Sequence, residues 1–207
     1  MNKILLIKYL NNIKDIMAEN RNYLIELDSV VGDGDLGLTM SDGFEAAYNA
    51  VQNFNENDIG KMLYTAGKAM STAVPSTMGT LMASGLMNVG KVFKGACEID
   101  NNDIVKFFEA YMNGVSERGK AKVGEKTFLD GIYPAVESLK KSTANGDTLE
   151  QSAQKAAAAA EKGFKNTVTM LAVHGRAATR GEASRILQDP GAAVAMLMMK
   201  AFYLTVK

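Results

Sequence analysis

Along its 207 residues the chain sets its apolar side chains at helical spacing and never alternates them as a strand would. Ile4, Leu5, Tyr9, Leu10, Ile13 and Ile16 mark a first helix, and Arg21–Leu27 a short second one. Met40, Phe44, Ala47 and Tyr48 line one side of a third between Leu38 and Phe54. Asp58 is a plausible N-cap for Ile59–Thr72, Asp103 marks the start of a helix near 101–120, and Thr148 caps LEQSAQKAAAAAEKGFK. Helices are also expected after AVPSTMG (73–79), over Ile132–Ser142 and over Ala192–Leu204. Glycine-rich breaks punctuate them near 30–40, 73–79, 122–131 and 174–192. With no strand–helix–strand alternation, no internal repeat and no linker, the expected fold is an all-α bundle of about eight helices, one domain over 1–207.

Composition narrows the function classes. Lys and Arg number 23 and Asp and Glu 23, so no basic excess is available for a nucleic-acid backbone. The single thiol, Cys97, forms neither an internal disulfide nor a cysteine zinc site, which makes a reducing cytoplasm the default. The opening MNKILLIKYLNNIKDIM is broken by Lys8, Asn11 and Asn12. It reads as an amphipathic helix, neither a signal peptide nor a membrane span.

VVGDGDLGLTM (30–40) contains a full GxGxxG in Gly32, Gly34 and Gly37. A dinucleotide loop needs a strand before it and a crossover helix after it, and neither is predicted. Asp33 and Asp35 would also repel a pyrophosphate unless a cation lay between. A calcium loop counted from Asp33 fails at its twelfth position, Phe44. GLMNVGKV (85–92) nearly matches a P-loop, but Val92 replaces the hydroxyl and the segment lies in an apolar helix. Asp28, Asp33 and Asp35 fall within eight residues. Their oxygen-only donor set suits Mg²⁺, which completes its shell with water or phosphate oxygens. The alternative is a solvated Asp/Gly turn. Asp28 upstream and the apolar flanks Ile25, Leu27, Val30, Val31 and Leu38 favour the metal.

LDSVVGDGDLGLTM, STMGTLMASGLM, GEKTFLDGIYPAVESL and GRAATRGEASRILQDPGA resemble, in this order, four motifs of the nucleotide-binding (L) subunits of dihydroxyacetone kinases. The resemblance runs from about Asp28 to Ala192. It implies a barrel of eight antiparallel helices with a nucleotide, ADP or ATP, in the loops at one end. Mg²⁺ would join its phosphates to Asp28, Asp33 and Asp35. Leu36, Gly37, Leu38 and Thr39 resemble the loop and helix start beside the phosphates. Ser76, Thr77, Met78 and Gly79 fall where the family carries a Gly-Gly-x-Ser-Gly loop, and whether Ser76 or Thr77 supplies the hydroxyl stays open. Lys126, Thr127 and Phe128 fit a G-D-K-T-x-L-D pattern read here from Gly124 to Asp130, with Phe128 near the base. The EKT segment also reads as a helix start capped by Thr127. Gly119, and Asp189, Pro190 and Gly191 of a matching Asp-Pro-Gly, are placed at the nucleotide pocket. Arg176, in a matching Gly-Arg-Ala, is the candidate cation for developing phosphate charge, with Asp33 and Asp35 as its catalytic companions.

Two departures stand out. Leu36 replaces a histidine common in the family, and the phosphate loop has lost its flexible glycines, which leaves a different small sugar open as acceptor. The only histidine, His174, reads as a surface or satisfied residue. The resemblance implies phosphoryl transfer to a short keto sugar. Its partners would be a sugar-binding kinase subunit and a phospho-histidine carrier subunit of the phosphotransferase system, with a homodimer left open. An ATP-dependent kinase domain for a related triose or tetrose, a fatty-acid-kinase type domain, and a non-catalytic nucleotide-binding partner are the alternatives.

Overall fold

The computed structural model describes Met1–Lys207. It contains nine α-helices: α1 (Lys3–Glu19), α2 (Arg21–Val31), α3 (Leu36–Asn49), α4 (Ile59–Ala73), α5 (Thr77–Val92), α6 (Asn101–Gly119), α7 (Phe128–Ala144), α8 (Leu149–Asn166) and α9 (Pro190–Val206). Two 3₁₀ segments, Thr167–Thr169 and Arg176–Ile186, join α8 to α9. There is no strand; one isolated bridge ties Asn2 to Glu98. The all-α expectation holds.

Packing follows chain order. Helices α3 to α9 each pack on the next, and α1 packs on both α3 and α9, so eight helices close into a ring. The short α2 is the additional element. It lies beside α3 and touches α9 and the Arg176–Ile186 segment. Fifty buried hydrophobic residues form one continuous core. Its centre is aromatic: Tyr9, Phe108 and Phe202 meet edge to face with centroids 5.0–6.2 Å apart, and Phe107 joins them. Helix α9 is apolar nearly all round, as a helix surrounded by neighbours must be.

Caps determine where the helices begin. Asp58 caps α4 through the Lys61 N–H, and Thr148 forms a capping box with Gln151. The α6 cap is Asp100, with Asp103 its reciprocal partner three residues on. Helix α7 starts four residues before the predicted Ile132, at Phe128, because Thr127 and Asp130 form another capping box. Small residues allow close helix crossings. A Cβ at Gly85 would lie 2.7 Å from the Tyr111 ring, and one at Gly90 2.7 Å from the Gly60 carbonyl. The P-loop-like GLMNVGKV lies wholly within α5, as expected, and its glycines serve packing.

Candidate functional site

The loop between α2 and α3, the start of α5, the end of α6 with the loop after it, and the 167–189 connection meet at one end of the ring. They enclose a cavity of about 740 Å³. Asp28, Asp33, Asp35, Leu36, Ser76, Thr77, Met78, Gly119, Lys126, Thr127, Phe128, Arg176, Asp189, Pro190 and Gly191 all line it. Residues expected at the site from four separated stretches therefore share one space.

The α2–α3 connection gathers the acids. Helix α2 runs past the expected Leu27 to Val31, so Asp28 stands in its last turn and not in the loop. A Cβ at Gly32 would lie 2.5 Å from Asp28 Oδ1, so a larger residue here would displace the Asp28 carboxylate. Gly34 takes a left-handed φ of 75° and turns the chain back toward α3. Asp28 Oδ2 accepts from the Leu36 N–H at 3.4 Å. Asp35 occupies the N-cap position of α3, yet its carboxylate caps nothing. One carboxylate oxygen from each of Asp28, Asp33 and Asp35 lies within 4.8 Å of the others. Burial, and then repulsion from Asp33 and Asp35, raise the Asp28 carboxyl above the usual carboxylate range despite the hydrogen bond from Leu36. Half-buried Asp28 and exposed Asp33 and Asp35, gathered at one end of the cavity, are an oxygen donor set suited to a hard divalent cation. Arg176 Nη2, from the far connection, lies 2.6 Å from Asp33 Oδ2.

Four residues expected at the nucleotide do not line the cavity. Gly37 is pressed against α2, where a Cβ would overlap the Arg21 carbonyl. Leu38 points outward and Thr39 is buried on the core side of α3. Helix geometry leaves the N–H groups of Gly37 and Leu38 without intrahelical acceptors, and Leu36 is the residue of this turn that lines the cavity. Gly79 lies inside α5, where a Cβ would collide with the Val74 carbonyl. The hydroxyl left open by the sequence acquires a context: Ser76 is the N-cap of α5, accepting from the Gly79 N–H at 3.0 Å, and Thr77 follows as the first helical residue.

The opposite wall is stiffer. Asp130, 2% exposed, accepts from the Thr127 N–H at 2.7 Å and the Gly124 N–H at 2.6 Å. Phe128 is buried against Tyr111, centroids 5.9 Å apart, and lines the cavity wall. Lys126 is nearly buried, and its ammonium donates to the carbonyls of Ser184 and Leu187 at 2.5 Å each and of Met170 at 3.3 Å. An ammonium has three protons, and all three are engaged, so none is aimed at a phosphate. Arg118 and His174 are cavity residues that sequence reasoning did not place there. Arg118 has no ion-pair partner; a cation in a helix's last turn also suits the helix dipole, which hides any other use. His174 Nε2 lies 2.6 Å from Glu125 Oε2, so it is satisfied, as expected of a lone histidine, but on the cavity wall.

Asp189 caps α9 by accepting from the Ala192 N–H at 2.6 Å. Burial pushes its carboxyl up to about 7, assisted by Asp130 and opposed by the Ala192 bond and Lys126. A carboxyl raised in the folded state binds its proton more tightly there than in the unfolded chain. Its contribution to stability is full below pH 4 and is lost as pH climbs through 7. Asp189→Asn keeps an oxygen to cap Ala192 and removes the titration. Denaturant melts should lose, between pH 4 and 8, a slope worth on the order of 4 kcal/mol. An unchanged slope would refute the assignment.

Residues 30–204 match the DAK2 domain family model. The ADP-binding subunit DhaL of the PEP-dependent dihydroxyacetone kinase of Escherichia coli (strain K12) is 31% identical over 202 residues, 98% of this chain and 96% of the relative. The L-erythrulose 1-kinase of Mycolicibacterium smegmatis is 32% identical over 95% of this chain, which spans 34% of that longer protein. The crystal structure of the dihydroxyacetone kinase of C. freundii in complex with AMP-PNP and Mg²⁺ superposes over 97% of this chain and 34% of its own, with a TM-score of 0.74 at 20% identity. That likeness supports the helical ring.

Proposed function

The chain belongs to the DAK2-domain family, and from that premise we propose that it is the nucleotide-binding, phosphoryl-transfer subunit of a split dihydroxyacetone-type kinase. Its near full-length match to a stand-alone ADP-binding subunit favours a single nucleotide-binding domain over 1–207, linked to phosphoenolpyruvate through a phospho-histidine carrier. The acceptor is a short keto sugar held on a separate sugar-binding subunit. The observation that carries this reading is the convergence of Asp28, Asp33 and Asp35 at one end of a nucleotide-sized cavity with Arg176 beside them. No helix is long and apolar enough to cross a membrane.

Phosphoryl transfer passes through a loose transition state, so catalysis is mostly positioning and charge neutralisation. Magnesium, held by Asp28, Asp33 and Asp35, would neutralise phosphate charge. Backbone N–H groups at the start of α3, and the hydroxyls of Ser76 and Thr77 at the start of α5, are the donors for phosphate oxygens. Arg176 leaves Asp33 to meet the transferring group, its planar fork matched to phosphate. Phe128, Pro190 and Gly191 form the wall that the base packs on. The general base for the acceptor hydroxyl is assigned in this proposal to the sugar-binding subunit.

Titration calorimetry should show ADP binding that requires Mg²⁺. With a phospho-histidine carrier and a sugar-binding subunit present, dihydroxyacetone should become phosphorylated. Magnesium-independent binding, or transfer that proceeds without this chain, would reject the reading.

A further inference from the structure

Lys126 has a feature that nucleotide binding does not require. Its backbone φ is 61°, a left-handed conformation that a side-chain-bearing residue seldom adopts. That turn sends the side chain inward, away from the bend opened by Gly124. The ammonium then meets carbonyls from both sides of one loop: Met170 before it, and Ser184 and Leu187 after it. The neighbouring ties share the same stem. The Val173 N–H donates to the Glu125 carbonyl, and the Ala172 N–H donates to the Ser184 hydroxyl, which is fully buried. Beyond this stem, residues 175–181 reach the rest of the molecule through one polar side-chain contact, Arg176 with Asp33.

We propose that Lys126 is a positioning residue that clasps the base of the 170–187 loop and thereby sets where Arg176 sits over the acidic cluster. The role given to Arg176 rests on the function proposed above; the clasp itself does not. The residue matches a nucleotide-motif lysine by its letters, yet its charge is used up on backbone carbonyls. A loop of this length, closed at its stem and met at its tip only by α2 and the exposed Arg176–Asp33 pair, depends on the stem for its shape. Burial holds the Lys126 ammonium below the usual lysine range, and Asp189 draws it back up. The cation is retained because three carbonyls and a nearby carboxyl repay its desolvation.

The test uses the full chain with Lys126→Met and Arg176→Ala, alone and combined. Trypsin should cut the free chain at the exposed Arg176, Arg180 and Arg185, and the rate is read at Arg180 and Arg185, which all variants keep. Lys126→Met should speed these cuts about tenfold or more, because opening of the loop is a local event. In the complete transfer system it should lower kcat by about 10²-fold, the cost of a misplaced catalytic group, with KM for nucleotide changed much less. Combined with Arg176→Ala it should lower kcat no further, because both changes act through one guanidinium. Cleavage at the wild-type rate overturns the clasp. So does an additive loss in the double variant, or a loss confined to nucleotide affinity; either would make Lys126 a direct phosphate contact. Faster cleavage together with wild-type turnover in Arg176→Ala would uphold the clasp and reject the catalytic role of Arg176. Should Lys126→Met not fold, Lys126→Gln, which keeps two donors without the charge, is read by the same cleavage and kcat measurements.

Discussion

Arg176→Ala is expected to lower phosphoryl-transfer kcat by about 10³-fold, the low end of what a transition-state arginine supplies. It should leave the melting temperature within a degree or two of wild type, since exposed ion pairs contribute about 0–1 kcal/mol. The pair with Asp33 is of that kind: both side chains are largely open to solvent, at 65% and 40% exposure. The substitution also removes a cation that competes for Asp33. Magnesium affinity should therefore hold or rise slightly while turnover collapses. Initial rates at saturating nucleotide, set beside calorimetric Mg²⁺ titrations, separate the two effects. Parallel losses of kcat and metal affinity would mean that Arg176 organises the acidic cluster and does not act on the transferring group.

Most of the architecture was legible because it depends on local rules. Apolar spacing and the Asp58 and Thr148 caps placed their helices well, and tertiary packing mainly adjusted the ends. Leu27 looked like the end of α2 because Asp28 opens a polar, glycine-rich run. Helix α2 instead continues one turn to Val31, which is buried at the cavity wall, and that turn lifts Asp28 onto a helix. The site was legible as a set of residues but not as a geometry. Gly37 and Gly79 look like phosphate-loop glycines, yet neighbouring backbone forces both to be small. Lys126 matches a nucleotide-pocket motif by its letters, but its left-handed backbone goes with an ammonium bonded to Ser184 and Leu187. The contact of Arg176 with Asp33 joins opposite ends of the chain and has no local signature at all. Arg118 was invisible for another reason: the same residue at the same place is expected of an ordinary helix terminus.

Asp28→Asn should move two measurements in opposite directions. Three effects burden the Asp28 carboxylate in the free protein: partial burial, repulsion from Asp33 and Asp35, and its place in the last turn of α2, where the helix dipole disfavours an anion. Asparagine removes the charge and keeps an oxygen for the Leu36 N–H. The free variant should gain up to about 1 kcal/mol, the size of like-charge repulsion at this spacing under water-like screening. Because the Asp28 carboxyl is raised in the folded state, its share of stability fades as pH rises out of the carboxylate range; the gain should therefore be largest at neutral pH and vanish in acid. Loaded protein should behave in the reverse way. A ligand that binds only the folded state adds about 2.7 kcal/mol at a hundred times its Kd. Loss of a metal-bearing carboxylate should weaken Mg²⁺-ADP binding by at least about 10²-fold and remove most of that increment. Thermal melts with and without Mg²⁺-ADP read both arms: the variant should melt above wild type alone and below it when both are loaded. A variant that melts lower in both states would make Asp28 a structural cap and place the cation on Asp33 and Asp35 alone. Equal ligand-induced shifts in the two proteins would remove the cation from this cluster altogether.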